Sequence, residues 1–215
     1  MRIKNIALAG AMALAFGNAQ ATLFDRGGGL IYDSSLNITW LAHANYYTVT
    51  EGGEAGAITW SRAMVWADGL TYGGFNDWRL PTTLIPDPSC SGGFGHNCTG
   101  SEMGHLFYEV LGGVAGTSIL VEHNDNFSLF SNFQHGNYWS GTEFQSNNMI
   151  AAWVFGFGSG FQHAGGKGDN LLYALAVRDG DVAAPIPEPE TYAMMLAGLG
   201  LLGVFARRRK QKLNA

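Results

Sequence analysis

The stretch "GGFNDWRLPT", residues 73 to 82, places an acid, a tryptophan and a scarce base within a short glycine-led segment. Arg79 is one of only five basic residues between positions 22 and 184, and Arg178, near the end of that region, is another. An arginine that packs on tryptophan and bridges to a carboxylate fixes how strands meet. We therefore expect a structural role for the residues of this motif and for the second arginine: Asp77, Trp78, Arg79, Leu80, Pro81 and Arg178. Direct ligand contact by the arginines is the alternative.

The sequence on either side of this motif predicts short helices and antiparallel strands. "GLIYDSSLNITWL", residues 29 to 41, predicts two strands around a turn at Asp33-Ser34-Ser35. Apolar residues at helical spacing predict one helix from Thr59 to Gly69 or Gly73, and a second over residues 101 to 112. Three later apolar runs predict strands at 138–144, 150–157 and 171–178. The expected fold class is α+β, two short helices with twisted antiparallel strands.

In order and spacing, four segments of this region resemble the Lcl C-terminal-like domain, a bacterial surface domain of unknown function. The segments are the motif at 73–82, "NYWSGTEF" at 137–144, "AAWVFGF" at 151–157 and "LAVRDG" at 175–180. The resemblance covers about residues 29 to 180. It implies a distant relation to C-type lectin-like and formylglycine-generating folds. The family pattern puts a helix rich in lysine or glutamate directly after L-P-T, whereas a cysteine-containing loop intervenes here.

The charge balance of residues 22 to 184 restricts the partners. This region carries fifteen acidic and five basic residues, a net charge of −10, although the whole chain carries only −5. Such a domain repels nucleic acid and sulfated polysaccharide. All six tryptophans lie in the same region, and an aromatic-rich chain of this size folds around a core instead of remaining disordered.

Cys90 and Cys98 lie eight positions apart in a glycine-rich segment, "PDPSCSGGFGHNC". In an exported protein this spacing predicts a disulfide that closes a surface loop. A redox-active pair is the alternative, but no C-x-x-C motif is present.

The N-terminal residues have the layout of a secretory signal. Residues 1 to 4 are basic, residues 6 to 16 are apolar, and Ala19-Gln20-Ala21 supplies the small residues that signal peptidase recognises. We expect cleavage after Ala21 and export of the chain from residue 22 onward.

The C-terminal residues combine a Pro-Glu-Pro, an apolar run and a basic cluster. The predicted transmembrane helix, residues 191 to 206, would span about 24 Å, short of the ~30 Å hydrocarbon core. The basic residues that follow the helix stay on the cytoplasmic side. Their long side chains can snorkel to the membrane surface and so compensate for the short length of the helix. These residues are Arg207, Arg208, Arg209 and Lys210. A buried C-terminal helix of a globular domain is the alternative.

This tail resembles the PEP-CTERM sorting signal, in which Pro187, Glu188 and Pro189 form the motif. The resemblance implies a Gram-negative bacterium and processing by exosortase, a membrane transpeptidase-like enzyme. It also implies an association with extracellular polysaccharide and biofilm. We thus expect a signal peptide at 1–21, an extracytoplasmic domain at 22–183 and the sorting signal at 184–215. The domain would be held in the periplasm by the inner membrane and then reach the cell surface or matrix.

The remaining motifs give no catalytic residue and no cofactor. The six histidines include no H-E-x-x-H, which argues against zinc, and no G-x-S-x-G is present. Four oxygen-bearing side chains could hold Ca²⁺, with a solvated turn as the alternative: Glu122, Asn124, Asp125 and Asn126. For sugar binding the candidates are Trp139 and Trp153, with Asn147 and Asn148 beside them; core packing is the alternative for each tryptophan. The sequence favours a binding or structural protein, with carbohydrate as ligand, over a secreted enzyme acting on exopolysaccharide.

Overall fold

The computed structural model describes residues 23–51, 56–91, 93–146 and 149–182. The chain divides into two compact units, Met1–Gly180 and Asp181–Ala215, and all the elements below belong to the first. The expected signal peptide, the Pro-Glu-Pro motif and the C-terminal helix lie outside the described residues. Within the described ranges, no helix is both long enough and apolar enough to cross a membrane.

One antiparallel sheet contains four strands in the order β1-β2-β3-β7. They are β1 Leu23–Asp25, β2 Leu30–Asp33, β3 Ile38–Leu41 and β7 Val177–Asp179. Strands β2 and β3 form the predicted hairpin, with Asp33 opposite Ile38. Its turn needs a residue in the left-handed region, and Asn37 supplies it with a φ of 53°. All four residues of β3 are buried, and β7 pairs with its free edge, so that Arg178 lies opposite Thr39.

A second antiparallel sheet contains three strands in the order β4-β5-β6. They are β4 Asn137–Ser146, β5 Met149–Gly156 and β6 Phe161–Gly166. The register of β4 against β5 shifts between Trp139 and Glu143, as a bulge does. Strand β5 is buried on both faces from Ala151 onward, which explains why its sequence is continuously apolar and not alternating.

The helices are short. They are α1 Tyr47–Glu51, α2 Trp60–Asp68 and α3 Glu102–His105, and α3 continues as a π-helical turn at Leu106–Val110. A 3₁₀ turn follows at Asp125–Leu129. Both predicted helices are therefore present: α2 begins after Thr59 and ends at Gly69. The apolar stripe of the second helix is buried, at Met103, Leu106, Phe107, Val110 and Leu111.

The hydrophobic core joins the four-stranded sheet, α3 with its π turn, and β4 and β5. Its members include Trp40, Phe107, Tyr138, Phe155 and Leu175. Two antiparallel sheets with short helices confirm the α+β class. No finding bears out the C-type lectin-like fold.

Candidate functional site

Two arginines in a crossed arrangement join the "GGFNDWRLPT" motif to strand β7. Arg79 donates to the carboxylate of Asp179, which neighbours the second arginine, with Nε 3.1 Å from Oδ1. Arg178 donates to Asp77 through Nε and Nη2, each at 2.7 Å from one carboxylate oxygen. Each arginine thus pairs with the acid that stands beside the other in the sequence.

Arg79 also reaches the first turn of α3. Its Nη1 and Nη2 atoms each lie 2.8 Å from an oxygen of Glu102, the bidentate geometry that makes arginine–carboxylate pairs strong. Glu102 additionally accepts the backbone N–H of Thr82 at 2.6 Å. Burial alone would lower the pKa of Arg79, but the hydrogen bonds and charges of Glu102 and then Asp179 outweigh it and raise that pKa. Arg79 is therefore held as a cation between a helix, a strand and its own motif.

Arg178 lies on an aromatic ring, but on a different one from the tryptophan that the sequence favoured. Its guanidinium carbon is 4.2 Å from the ring centroid of Phe75, within cation–π range. Trp78 and Leu80 are instead buried, each 2% exposed. The hydrogen bond from Arg178 lowers the pKa of Asp77, against a smaller opposing effect of burial. We name the set Asp77, Arg79, Glu102, Arg178 and Asp179 the crossed-arginine cluster.

Cys90 and Cys98 form the predicted disulfide. The loop that they close is attached to the edge of β6: Gly95 and Gln162 exchange two backbone hydrogen bonds of 2.9 and 2.8 Å. The side-chain amide of Gln162 donates to the carbonyl of Gly93 at 2.7 Å. Among the described residues, the side chains with metal-ligand spacing are the two cysteines and Asp87. The sulfur atoms are bonded to each other, and Asp87 accepts hydrogen bonds from Ser89, so this group acts as a loop anchor.

The two tryptophans expected to stack on sugars lie inside the domain. Trp139 is 0% and Trp153 is 3% exposed. The indole N–H of Trp139 donates to the carbonyl of Ile58 at 2.8 Å. Trp153 packs under Phe94 and Phe144, with ring centroids 4.6 and 5.2 Å away. Core packing is thus the role that the structure supports for both rings, and Asn147 and Asn148 lie outside the described residues.

The side chains considered for calcium serve local hydrogen bonds. The amides of Asn124 and Asn126 both donate to the carbonyl of Val110, each at 2.9 Å. The side chain of Asn124 also accepts the N–H of Asn126 at 3.0 Å. These bonds satisfy a carbonyl at the end of the π-helical turn, where helix carbonyls lack partners. The structure thus gives Asn124 and Asn126 a capping role, and Glu122 and Asp125 are exposed.

A serine, a histidine and an aspartate meet at the β2–β3 turn, a contact that no sequence motif indicated. The Ser35 hydroxyl donates to the buried carboxylate of Asp33, and Nε2 of His105 lies 2.8 Å from the same hydroxyl oxygen. This trio links the β2–β3 turn to α3.

A groove of about 310 Å³ lies between α1 and α2. Its floor is formed by Tyr47 and Trp66, whose rings meet edge to face at 5.9 Å. The indole N–H of Trp66 donates to the hydroxyl of Thr50 at 3.0 Å. Glu51 and Arg62 stand at the rim, 3.9 Å apart and largely exposed. We refer to this feature as the α1–α2 groove. Sequence reasoning missed it because α1, with the sequence YTVTE, has no helical signature.

Residues 185–210 match the PEP-CTERM protein-sorting motif. The matched range contains Pro187, Glu188 and Pro189 as well as the basic run Arg207, Arg208, Arg209 and Lys210. The chain therefore carries the signal of an exported protein that exosortase sorts after transient anchoring in the membrane. No curated protein and no solved structure matches the chain. The likeness of the domain to Lcl C-terminal-like proteins rests on its sequence motifs alone.

Proposed function

We propose that this protein is a binding component of the cell envelope or extracellular matrix, delivered by exosortase, and that its folded domain recognises extracellular polysaccharide. The sorting motif at 185–210 supports delivery to the envelope or matrix, because it directs the domain to the compartment that contains extracellular polysaccharide. The α1–α2 groove supports the second half of the proposal, because it is a concave surface with an apolar lining and a polar rim. Ligand sites in proteins combine these two features.

The construction of the domain supports binding without catalysis as its role. The crossed-arginine cluster and the disulfide hold the chain at several points between residues 77 and 179. A rigid scaffold of this kind lowers the entropic cost of binding, since little has to be ordered when the ligand arrives.

A glycan array tests the proposal. The full chain, purified in detergent, would be applied to neutral, uronate-containing and sulfated oligosaccharides. We expect retention on some neutral glycans and none on sulfated ones, since a net charge of −10 over residues 22 to 184 repels sulfate. Absence of binding to every glycan, with the protein shown to be folded by circular dichroism, would reject the polysaccharide proposal and leave the sorting assignment in place.

A further inference from the structure

The α1–α2 groove has a composition suited to a sugar ring. Its deep side is apolar, at Tyr47 and Trp66, which are 4% and 8% exposed, whereas Val65 in its lining is 74% exposed and Thr71 carries a hydroxyl group. A pyranose presents C–H groups on its faces and hydroxyls around its edge. A groove of about 310 Å³ is at the small end of the ~300–1,000 Å³ range of ligand sites. It thus suits a short stretch of a saccharide and is too small for a long acyl chain.

Arg62 differs from three other basic residues of the domain in how it is held. Arg79 and Arg178 each make two close bonds to a carboxylate. Lys167 lies 2.9 Å from Glu143 and 4.0 Å from the ring centroid of Trp60, and its side chain is 13% exposed. Arg62, in contrast, is 62% exposed, and its contact with Glu51 at 3.9 Å is too long for a hydrogen bond.

Arg62 and Glu51 therefore keep hydrogen-bonding capacity at the rim of the groove. The guanidinium is 5.6 Å from the ring centroid of Tyr47, which keeps it over the groove. Guanidinium offers only donors and carboxylate only acceptors. Two neighbouring hydroxyls of a sugar, each a donor and an acceptor, match this pair. A ligand carboxylate or sulfate would instead meet the negative charge of Glu51.

We propose that the α1–α2 groove binds neutral pyranose saccharides, with Arg62 and Glu51 holding adjacent hydroxyls while a C–H face of the ring lies against the exposed side chain of Val65. This inference rests on the proposed polysaccharide-binding function and assigns its site and its ligand class. A hydrogen bond from a neutral ligand to a charged side chain is stronger than one to a neutral side chain. We therefore expect these two side chains to dominate the affinity.

The test compares two uncharged rim variants with one control in the full chain. Arg62→Met and Glu51→Gln each remove a charge from an exposed side chain, so the melting temperature should stay within about 1–2 °C of wild type. Affinity for the neutral oligosaccharides retained on the array, measured by isothermal titration calorimetry, should fall about tenfold in each variant. The control is Asp68→Asn, an exposed acid on α2 that does not line the groove; it should bind as wild type.

The outcomes separate this inference from the proposed function. If the wild-type protein binds neutral saccharides and both rim variants bind them equally well, the α1–α2 groove is not the binding site. The proposed function would still stand. If the wild-type protein binds only uronate or sulfated saccharides, and the rim variants bind them more weakly, the groove is the site but its ligand is not neutral. Absence of any saccharide binding by folded wild-type protein would overturn the function itself and the inference with it.

Discussion

Arg79 bridges three parts of the chain through two carboxylates. Its partner Glu102 has a side chain that is 14% exposed, and Arg79 itself is 31% exposed. Removing one partner of such a pair leaves the other charge in a poorly solvated place, which costs more than the pair contributed. We expect Arg79→Met to lower the free energy of unfolding by about 2 kcal/mol, measured by urea denaturation of the full chain.

The matched control for this change is Arg62→Met, since Arg62 is more exposed and makes no hydrogen bond to its acid. Its effect on stability should stay within about 0.5 kcal/mol. If Arg79→Met left the melting temperature unchanged and abolished saccharide binding, Arg79 would be a ligand contact and the structural role would be wrong.

Asp77 makes the stability of the domain depend on pH. The hydrogen bond from Arg178 lowers its pKa in the folded protein, so the ionised form is favoured by folding. This stabilisation is complete above the pKa of the unfolded state, about 3.9, and is lost as the pH falls through the lower folded value. The side chain of Asp77 is 54% exposed, and solvent therefore limits the effect to about 1 kcal/mol or less.

Asp77→Asn should thus destabilise the domain at pH 7, and the difference from wild type should shrink as the pH falls below the unfolded-state pKa of about 3.9. Urea midpoints measured across this range for the wild type and the variant check the prediction. Asp68→Asn, an exposed acid on α2, serves as the control and should follow the wild-type profile. A difference between Asp77→Asn and wild type that persists unchanged at pH 3 would show that the ion pair is not its cause.

The importance of these residues could be predicted from the sequence, but their partners could not. Two arginines beside acids in a base-poor region indicated ion pairs, and the cluster contains both. The crossing of the pairs depends on β7 lying next to residues 77 to 79, where Arg79 and Val177 exchange backbone hydrogen bonds of 2.8 and 2.9 Å. Such a pairing, 98 positions apart in the chain, leaves no periodic signal in either segment.

At the scale of elements, the disulfide keeps the loop of residues 90 to 98 on the edge of β6. On the chain-entropy estimate, closing so short a loop contributes about 2–3 kcal/mol. We expect the double substitution of Cys90 and Cys98 by serine to lower the free energy of unfolding by that amount. Wild-type protein unfolded in a reducing agent should show the same loss. Mass spectrometry of the unreduced wild-type protein that found two free thiols would contradict the bond.

Gly104 sets how closely α3 approaches this loop. A Cβ atom at this position would overlap the backbone carbonyl of Cys98, and a backbone atom cannot be moved aside by a rotamer change. Gly104→Ala should therefore cost about 1–3 kcal/mol, as overpacking does, although alanine favours helices over glycine. Gly168→Ala is the control, since a Cβ there meets nothing within 4 Å. Equal melting temperatures for the two variants would show that α3 is not in close contact with the loop.

The elements that the sequence predicted are those with strong local signals. The hairpin at β2–β3, the helix α2 and the strands β4 and β5 combine turn residues or apolar periodicity with adequate length. Strand β6, with the sequence FQHAGG, has no β-branched residue and forms because β5 and the disulfide loop pair with its two edges.

The predicted strand at 171–178 is divided between partners. Leu172 pairs with Ile58 and Tyr173 with Tyr138, whereas only Val177–Asp179 joins the first sheet. This run therefore connects the two sheets. A single apolar pattern in the sequence does not distinguish a continuous strand from such a shared segment.

At the scale of the whole chain, the folded domain and its processing signals occupy separate sequence ranges. Strands β1 and β7, the first and last among the described residues, are the outer strands of one sheet. The expected signal-peptide cleavage after Ala21 lies before β1 begins at Leu23, and the Pro-Glu-Pro motif begins at Pro187, after β7 ends at Asp179. Processing at either end would thus remove none of the seven strands that the structure describes, so the domain can keep its fold through export, anchoring and release.

We predict that the tail is removed by exosortase and does not remain as a permanent anchor. The apolar run of residues 191 to 206 is short and contains glycine at 198, 200 and 203, which holds a membrane less firmly than a leucine-rich span. Mass spectrometry should find a shortened C-terminus in protein from wild-type cells and an intact one in cells that lack exosortase.

Glu188→Gln should block release and leave export intact, and the neighbouring control Glu190→Gln should be processed normally. Removing Arg207 to Lys210 should weaken retention in the membrane, because these charges stop the helix at the cytoplasmic face. Residues 190 to 215 found intact in protein from both kinds of cell would reject processing and leave a tail-anchored protein.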